Sequence, residues 1–326
     1  MLKKFMLSLI ATGAVAAGLA TSAVAQTKWD LPLVWPDANY IVKDARVFAD
    51  KVKEATGGSL IITLHPGGSL GFKGPEMLAV VRDGLVPIGD MLLNQQVGED
   101  KLLGIESLPY LIGSFDELES FHKKYNVLLE EIFAKNNQKI LFSIPWPQQQ
   151  IWTKKEIKTI ADMKGIKIRS YDKSSTEIFA AAGMNPVQLP WGEVVPSIAA
   201  GVIDAVATSA PSAVDGAFWE FLKYGYPTRQ TWNTDIVSVN LDAWKKLTDQ
   251  QRKALVDVAT ALEPVFWADA RKIDDDAMAT LTKRGMIIGK IDDAMRKELR
   301  DRAAPLRETA AKAMGPRARA YVPEGK

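Results

Sequence analysis

The chain has 326 residues, of which 47% are hydrophobic and 25% are charged, a balance typical of a globular protein long enough for two domains. Its 41 basic and 39 acidic residues leave a net charge of +2, so charge does not indicate nucleic acid or an anionic membrane as a partner. Cysteine is absent, which excludes a disulfide framework and thiolate chemistry.

The first 25 residues have the pattern of a secretory signal peptide. Lys3 and Lys4 precede a run of small and aliphatic residues that ends in Ala23-Val24-Ala25, the A-x-A type of cleavage site. A membrane anchor is the alternative, but Ala and Gly dominate the later half of the run and a cleavage site ends it. We therefore predict cleavage before Gln26 and a mature protein in the periplasm, where ATP- or NAD-dependent chemistry is not expected.

Strands and helices then alternate along the first half of the chain. Strands are predicted at 31–35, 60–66, 86–93 and 139–146, and helices at 40–56, from about Pro75, and from a capping box at Ser114–Glu117 to about Lys135. Gly57-Gly58 ends the first of these helices. The Pro/Gln-rich stretch 145–150 is the best candidate for a first crossing between two domains.

The second half continues the same rhythm. Strands are predicted at 166–170, 185–190 and 205–210, and helices at 175–183, at 191–203, from a capping box at Thr248–Gln251 to about Arg284 with a kink at Pro264, and from about Asp292. This alternation predicts α/β layers with mainly parallel sheets. With a return crossing around 232–240, one domain comprises 26–149 and about 238–285, and the other 150–237 and about 286–326.

The sequence matches to enzyme motifs lack the structural context that their chemistry requires. Gly67–Gly71 matches G-x-S-x-G around Ser69, but Pro66 breaks the strand before it and four residues delay the helix after it. The only downstream histidine, His122, lies within a helix on a face that we interpret as solvated. No Gly-Lys-Ser/Thr follows the glycines, and Asp274–Asp276 is interpreted as a solvated helix face, so we expect no cofactor and no metal.

Polar and aromatic side chains collect where strands end. Arg169, Asn94 and Thr208 follow predicted strands, and ligands of α/β sheets bind outside the carboxyl ends of strands. Four tryptophans also lie at or next to strand ends or loops: Trp35, Trp146, Trp191 and Trp232. Together they describe an apolar pocket with a few polar groups and one cation. Spacing alone leaves open whether Arg169 binds a ligand carboxylate or pairs with Asp172 or Glu177.

Three segments of the chain carry a family resemblance. They are "TGGSLIITLHPGGSLGFKGPEMLAVVRDGLVPIGDM" at 56–91, "ESLPYLIGSFDE" at 106–117, and "DMKGIKIRS" with "AAGMNPVQLPWGEVVPSIAAGVIDA" between 162 and 205. The mature sequence resembles the periplasmic solute-binding proteins of TRAP transporters, the group named for C4-dicarboxylate binding. The resemblance implies two α/β domains around a ligand cleft, a long helix along both, closure on binding, and delivery of the substrate to a sodium-driven membrane permease.

The resemblance also implies a role for Arg169, because the arginine of the family's "K-I-R" forms the main salt bridge to the substrate carboxylate. Many dicarboxylate and sialate binders have a second arginine where this sequence has Gln150. The family's "D-G-Q-E-N-P" is replaced by Asp204–Ser209, in which the Gln, Glu and Asn have become Val206, Ala207 and Thr208. These changes make the site less charged, and they favour a monocarboxylate with an apolar, aromatic or branched body, including 2-oxo and 2-hydroxy acids.

The remaining site residues follow from this expectation. Gln150, Asn94 and Thr208 or Ser209 are expected to orient the ligand; Trp146, Trp191, Trp35 and Trp232 to form its apolar wall; and Phe72 or Lys73 to close over it. Lys73 could replace the lost cation, so a C4-dicarboxylate remains an alternative ligand. A sugar acid is a further alternative. A ligand-sensing partner of a membrane receptor is the other non-enzymatic function that the same pocket could serve.

Overall fold

The computed structural model describes residues 26–322, so the predicted signal peptide lies outside the described residues. The strands are Thr27–Pro32 (β1), Leu60–His65 (β2), Ile88–Leu92 (β3), Gln138–Trp146 (β4), Gln150–Thr153 (β5), Lys167–Ser170 (β6), Asn185–Gln188 (β7), Ala205–Thr208 (β8), Tyr224–Tyr226 (β9), Asn233–Asn240 (β10) and Ile287–Ile288 (β11). The helices are Tyr40–Ala55 (α1), Met77–Arg82 (α2), Phe115–Lys135 (α3), Lys173–Ala181 (α4), Val194–Ala199 (α5), Ala210–Asp215 (α6), Leu241–Lys245 (α7), Asp249–Lys283 (α8), Asp293–Met314 (α9) and Pro316–Arg319 (α10).

The long helices begin where their capping residues predict. The Ser114 hydroxyl accepts a hydrogen bond from the Glu117 N–H at 3.2 Å, and Thr248 and Gln251 form the reciprocal bonds of a capping box at the start of α8. The Asp292 carboxylate accepts from the Met295 N–H at 2.8 Å and so opens α9. Each side chain satisfies a backbone donor that the helix leaves free, which fixes the first residue of the helix.

The strands form three sheets with the orders β1-β2, β3-β10-β4 and β11-β9-β5-β8-β6-β7. The expectation of mainly parallel sheets is wrong, because β10 is antiparallel to β3 and β4, and β5 is antiparallel to β8 and β9. The antiparallel strands adjoin the two crossings, 147–149 and 227–232. After each crossing, the first strand of the new sheet, β5 or β10, runs antiparallel to the strands with which it pairs.

The three sheets divide the chain into two lobes. The first lobe contains β1–β4, β10, α1–α3 and α7, and the second contains β5–β9, β11 and α4–α6. The predicted return crossing is displaced, because β10 pairs with β3 and β4 from residue 233 onward and therefore lies wholly in the first lobe. The boundary near 237 falls inside this strand. The crossing segment is instead 227–232.

Two long helices run along both lobes. In α8, Leu255 and Phe266 pack in a core of the first lobe, whereas Leu281 packs in a core of the second. In α9, Leu299 packs in the second lobe and Ala311 in the first, so the segment after 286 does not belong to the second lobe alone. At about 1.5 Å per residue the 35 residues of α8 span about 52 Å. None of the helices within residues 26–322 combines the length and apolar character that crossing a membrane requires.

Candidate functional site

A small cavity lies between the two lobes. Its lining from the first lobe and the first crossing is Trp35, Leu92, Gln95, Trp146, Gln149 and Asn233; its lining from the second lobe is Arg169, Tyr171, Trp191, Thr208 and Ser212. Arg169 is the only one of these side chains with a formal charge. The cavity therefore combines aromatic walls, neutral polar groups and one cation.

Arg169 is held at the carboxyl edge of three parallel strands. It lies on β6, between β7 and β8, and its side chain is 3% exposed. Its Nε donates to the carbonyl oxygen of Leu189, just after β7, at 3.0 Å, and its Nη1 donates to that of Ala207 on β8 at 3.1 Å. Because both neighbouring strands supply an acceptor, the guanidinium has a fixed orientation.

The charge of Arg169 has no carboxylate partner within residues 26–322. Its Nη2 forms no hydrogen bond there, and the guanidinium carbon lies 5.6 Å from the ring centre of Tyr171. Glu177 lies 3.8 Å from Lys173, and Asp172 caps α4, so neither candidate partner is used for pairing. Burial lowers the pKa of Arg169 to about 10, which still leaves it protonated at neutral pH. A buried cation without a partner is suited to an anion from outside the chain.

Three indole rings form the apolar wall, with Trp35 at their centre. The ring centre of Trp35 lies 4.8 Å from that of Trp146 in the first lobe and 6.4 Å from that of Trp191 in the second. Trp146 also packs edge-on against Tyr40 at 5.1 Å. Trp35 and Trp146 are buried and Trp191 is half-buried. Trp35 thus joins aromatic surface from both lobes.

The neutral polar part of the lining is partly held by internal hydrogen bonds. The hydroxyl of Tyr171 lies 2.5 Å from that of Thr231, and Asn233 Nδ2 lies 3.5 Å from the same Tyr171 oxygen. Gln95, Gln149 and Asn233 each carry an amide that can donate and accept hydrogen bonds. These residues were not identified from the sequence. Tyr171 lies two residues after Arg169, and this spacing is the one feature of the sequence that could have placed it in the cavity lining.

Two predicted polar contacts lie beside the cavity rather than in it. Gln150 is fully buried, and its Nε2 lies 3.4 Å from Asp274 Oδ1, while the preceding residue, Gln149, lines the cavity. Ser209 caps α6 and lies against the hydroxyl of Ser212, which lines the cavity in its place. Neighbouring side chains of an extended chain point to opposite sides, so Gln149 and not Gln150 faces the cavity, whereas Ser212 lies three residues after Ser209, in α6.

Three further expectations are corrected. Trp232 packs in the core of the first lobe, 5.7 Å from the ring of Phe115, and does not line the cavity. His122 does not lie on a solvated face, because it is buried with its Nε2 2.7 Å from Glu106 Oε2. Asp274 is half-buried and accepts a hydrogen bond from Gln148 Nε2 at 2.8 Å. In each case the partner is distant in sequence and left no local signal.

Phe72 and Lys73 lie at the mouth of the cavity. They line an adjoining open space that shares Trp35, Gln95, Tyr171 and Trp191 with the cavity itself. Lys73 Nζ is 3.9 Å from Glu193 Oε1 of the second lobe, and both side chains are more than half exposed. Lys73 therefore lies outside the wall that holds Arg169.

Asn94 joins the two lobes instead of lining the cavity. Its Nδ2 donates to Asp172 Oδ2 at 2.6 Å, while Asp172 Oδ1 accepts from the Ser175 N–H at 2.7 Å and caps α4. Nearby, the Ser174 hydroxyl donates to the carbonyl oxygen of Ser107 at 2.8 Å. These bonds cross the cleft between the lobes, so the lobes are closed upon each other.

We expect Asn94→Ala to weaken ligand affinity about 10-fold, although Asn94 does not line the cavity. The closed state would lose one buried hydrogen bond to a carboxylate, of about 1.5 kcal/mol, that the open state lacks. Calorimetry gives the affinity, and small-angle scattering gives the open fraction without ligand. Asn185→Ala, on exposed β7, is the matched control. Unchanged affinity and unchanged open fraction in Asn94→Ala would contradict this role.

No metal site is apparent in the described part of the chain. Between residues 26 and 322, His, Asp and Glu side chains do not form any group of three or more that could hold a metal ion.

Comparison with known proteins gives one consistent result. Residues 33–313 match the family model described as bacterial extracellular solute-binding protein, family 7. An extracytoplasmic solute receptor of Bordetella pertussis that binds pyroglutamic acid is 33% identical, with a TM-score of 0.87 over 90% of this chain and 98% of the receptor. A marine metagenome TRAP solute-binding protein, crystallised with co-purified pyroglutamate, is 31% identical, with a TM-score of 0.86 over 91% and 97%.

A curated relative is more distant. The monocarboxylate 2-oxoacid-binding periplasmic protein of Nostoc sp. is 27% identical over 74% of this chain and 66% of its own length. The two solved structures share the overall fold of this chain, as their TM-scores show.

Proposed function

Because the chain belongs to family 7 of the bacterial extracellular solute-binding proteins, we propose that it captures a compact monocarboxylate bearing a neutral hydrogen-bonding group and delivers it to a TRAP membrane permease. As a TRAP solute receptor it is a binding protein for small organic acids and not an enzyme. Pyroglutamate is the leading candidate ligand. Other 2-oxo, 2-hydroxy or aromatic monocarboxylates are the alternatives within the same class.

The observation that carries this proposal is the single charge in the cavity. A guanidinium can bind one carboxylate through two parallel hydrogen bonds, and Nη2 of Arg169 is free for this purpose. A second carboxylate would be desolvated against amides, hydroxyls and indoles, without a cation to offset the cost. The lining thus favours one negative charge and disfavours two.

The neutral part of the ligand is inferred from the remaining lining. The amides of Gln95, Gln149 and Asn233 can each donate and accept, which suits a lactam, an oxo group or a hydroxyl. The indoles of Trp35, Trp146 and Trp191 suit a flat apolar ring. Two receptors of 31–33% identity bind pyroglutamate, and the Nostoc relative is named for monocarboxylate 2-oxoacids.

A matched panel of acids tests the ligand class. We expect L-pyroglutamate to bind at least about 100-fold more tightly than L-glutamate, which has the same carbon skeleton but adds an ammonium and a second carboxylate. Cyclopentanecarboxylate, which keeps the ring and the carboxylate but lacks the lactam, is expected to be intermediate. Thermal shift ranks the acids and calorimetry measures the affinities. Tighter binding of succinate, malate or glutamate would contradict the monocarboxylate assignment.

The place of action follows from the family and from the N-terminal sequence. Relatives are named as periplasmic proteins, and residues 1–25 have the pattern of a secretory signal. Closure of the lobes around the ligand would create the surface that a permease recognises, because ligand contacts from both lobes stabilise the closed state. A micromolar dissociation constant corresponds to a binding free energy of about −8 kcal/mol, which one charged pair, a few hydrogen bonds and a buried ring can supply.

A further inference from the structure

Two buried carboxyl groups lie next to the cavity, behind its aromatic wall. Asp90 on β3 and Asp235 on β10 are 1% and 0% exposed. The indole Nε1 of Trp35 donates to both carboxyl groups, at 3.1 Å to Asp90 Oδ2 and 2.8 Å to Asp235 Oδ2. Leu92 and Asn233, each two residues away on the same strands and hence on the same faces, line the cavity.

The surroundings of this carboxyl pair do not contain a balancing cation. Within residues 26–322, neither Asp90 nor Asp235 forms an ion pair, and the Oδ1 atom of each is buried without a hydrogen bond. The titratable groups facing the pair are Glu106, after the turn at Lys101–Gly104, and Tyr40 on α1. Beyond Tyr40 lie further acidic residues of three helices, Asp44 (α1), Asp215 (α6) and Asp274 (α8).

Two carboxylates that share one N–H donor in a dry environment cannot both remain ionised. Burial raises the pKa of Asp90 well above its usual value, and burial raises that of Asp235 to about 7. Nearby like charge contributes to both increases in pKa, through Asp235 acting on Asp90 and Glu106 acting on Asp235, while the indole N–H of Trp35 opposes both increases and that of Trp146 opposes the increase at Asp235. At least one proton is therefore retained by the pair at neutral pH.

We propose that Asp90 and Asp235 are positioning residues that share a proton, hold the Trp35 indole in the cavity wall, and link ligand binding to proton uptake. The proposal rests on the proposed function, because it requires an anionic ligand at Arg169. Trp35 contacts the aromatic surface of both lobes, so its orientation affects the closed cavity directly. An incoming anion disfavours a second negative charge on the pair and so favours its protonated form.

The direction in which ligand affinity changes with pH follows from this linkage. Ligand affinity is expected to rise several-fold from pH 8 to pH 6, because the protonated pair binds the anion better. Calorimetry of L-pyroglutamate binding at pH 7, in buffers with different heats of ionisation, is expected to reveal uptake of a fraction of a proton. No net proton uptake in the wild-type protein would overturn the proposal.

Matched substitutions assign the proton to this pair. In Asp235→Asn the amide oxygen still accepts from Trp35 but the group no longer titrates, so affinity is expected to become nearly independent of pH between 6 and 8. Asp44→Asn is the control, because Asp44 is also buried in the first lobe, burial raises its pKa to about 7, and it makes no bond to Trp35. A wild-type pH dependence in Asp235→Asn, or its loss in Asp44→Asn, would overturn the assignment.

A ligand-free measurement separates this inference from the proposed function. Infrared spectra at pH 7 are expected to contain a protonated-carboxyl band that Asp90→Asn removes and Asp44→Asn leaves in place, beside a separate contribution from the Asp44 carboxyl group itself. Absence of such a band from the wild-type protein would overturn the shared proton whatever the ligand is. If L-pyroglutamate and the other acids of the panel do not bind while the band is present, the proposed function fails and the shared proton stands.

Discussion

Arg169→Met is expected to weaken ligand binding at least about 1,000-fold, corresponding to about 4 kcal/mol, while the protein remains folded. Removal of one partner of a buried charged pair typically costs 2–5 kcal/mol, because the carboxylate of the ligand is left without its cation. Among the described residues that line the cavity, none besides Arg169 is charged, so no other lining residue in residues 26–322 can take its place. Calorimetry with the tightest acid of the panel measures the loss.

Stability should respond much less than affinity to this substitution. In the ligand-free protein Arg169 is a buried charge without a carboxylate partner, and burial lowers its pKa to about 10. Methionine removes that desolvation cost but leaves the carbonyl oxygens of Leu189 and Ala207 without a donor, and the two effects oppose each other.

Arg169→Lys is the matched variant for the arginine prediction. It keeps the charge and loses the paired donors, so it is expected to bind with intermediate affinity. Wild-type affinity in Arg169→Met would remove this residue from the ligand site. Loss of cooperative unfolding in Arg169→Met would instead assign it a structural role.

The elements of this fold that are specified locally could be predicted from the sequence. Ser114 and Thr248 mark helix starts because their hydroxyls bond to backbone groups only three residues away. Arg169 stood out because a cation at the end of an apolar strand is costly unless it has a partner. The carboxyl edge of a parallel sheet made it a candidate for ligand binding, but its position left Asp172 and Glu177 open as partners, and only the family resemblance favoured a ligand carboxylate.

The residues that were misplaced depend on partners far along the chain. The family resemblance assigned a ligand contact to Gln150, and nothing in the Pro/Gln-rich stretch 145–150 reveals that Gln149 lines the cavity instead. Asn94 follows a strand, as predicted, but its partner is the cap of a helix 78 residues away. His122 bonds to Glu106, which a helical periodicity argument does not include.

The same limit applies to the boundary between the lobes. The sequence analysis placed a crossing where β10 lies, because this strand is buried on both faces and its sequence does not alternate or reveal that it pairs with β3 and β4. Strand pairing is decided by burial against distant partners, whereas the alternation of a strand reports only that one face differs from the other.

Asp235→Asn is expected to stabilise the protein at pH 8 by up to about 4 kcal/mol and to have little effect near pH 4. The folded state raises the pKa of Asp235 from 3.8 to about 7, chiefly through burial. Between these values the folded protein keeps a proton that the unfolded chain releases, so stability falls as pH rises through this window and is level above it. A shift of three pKa units corresponds to about 4 kcal/mol. The amide does not ionise, so the variant avoids this loss.

Urea unfolding at pH 4, 6 and 8 measures the effect, and Asp162→Asn provides a control of opposite sign. The Asp162 carboxylate is exposed and accepts hydrogen bonds from the backbone N–H groups of Lys158 and Thr159, which lower its pKa. The ionised Asp162 carboxylate stabilises the folded state above its unfolded pKa, and this stabilisation is lost as pH falls through its folded pKa. Asp162→Asn should therefore destabilise the protein at pH 8 and not at low pH. If Asp235→Asn were no more stable than wild type at pH 8, Asp235 would have to be ionised there at no cost. That result would contradict the raised pKa of Asp235.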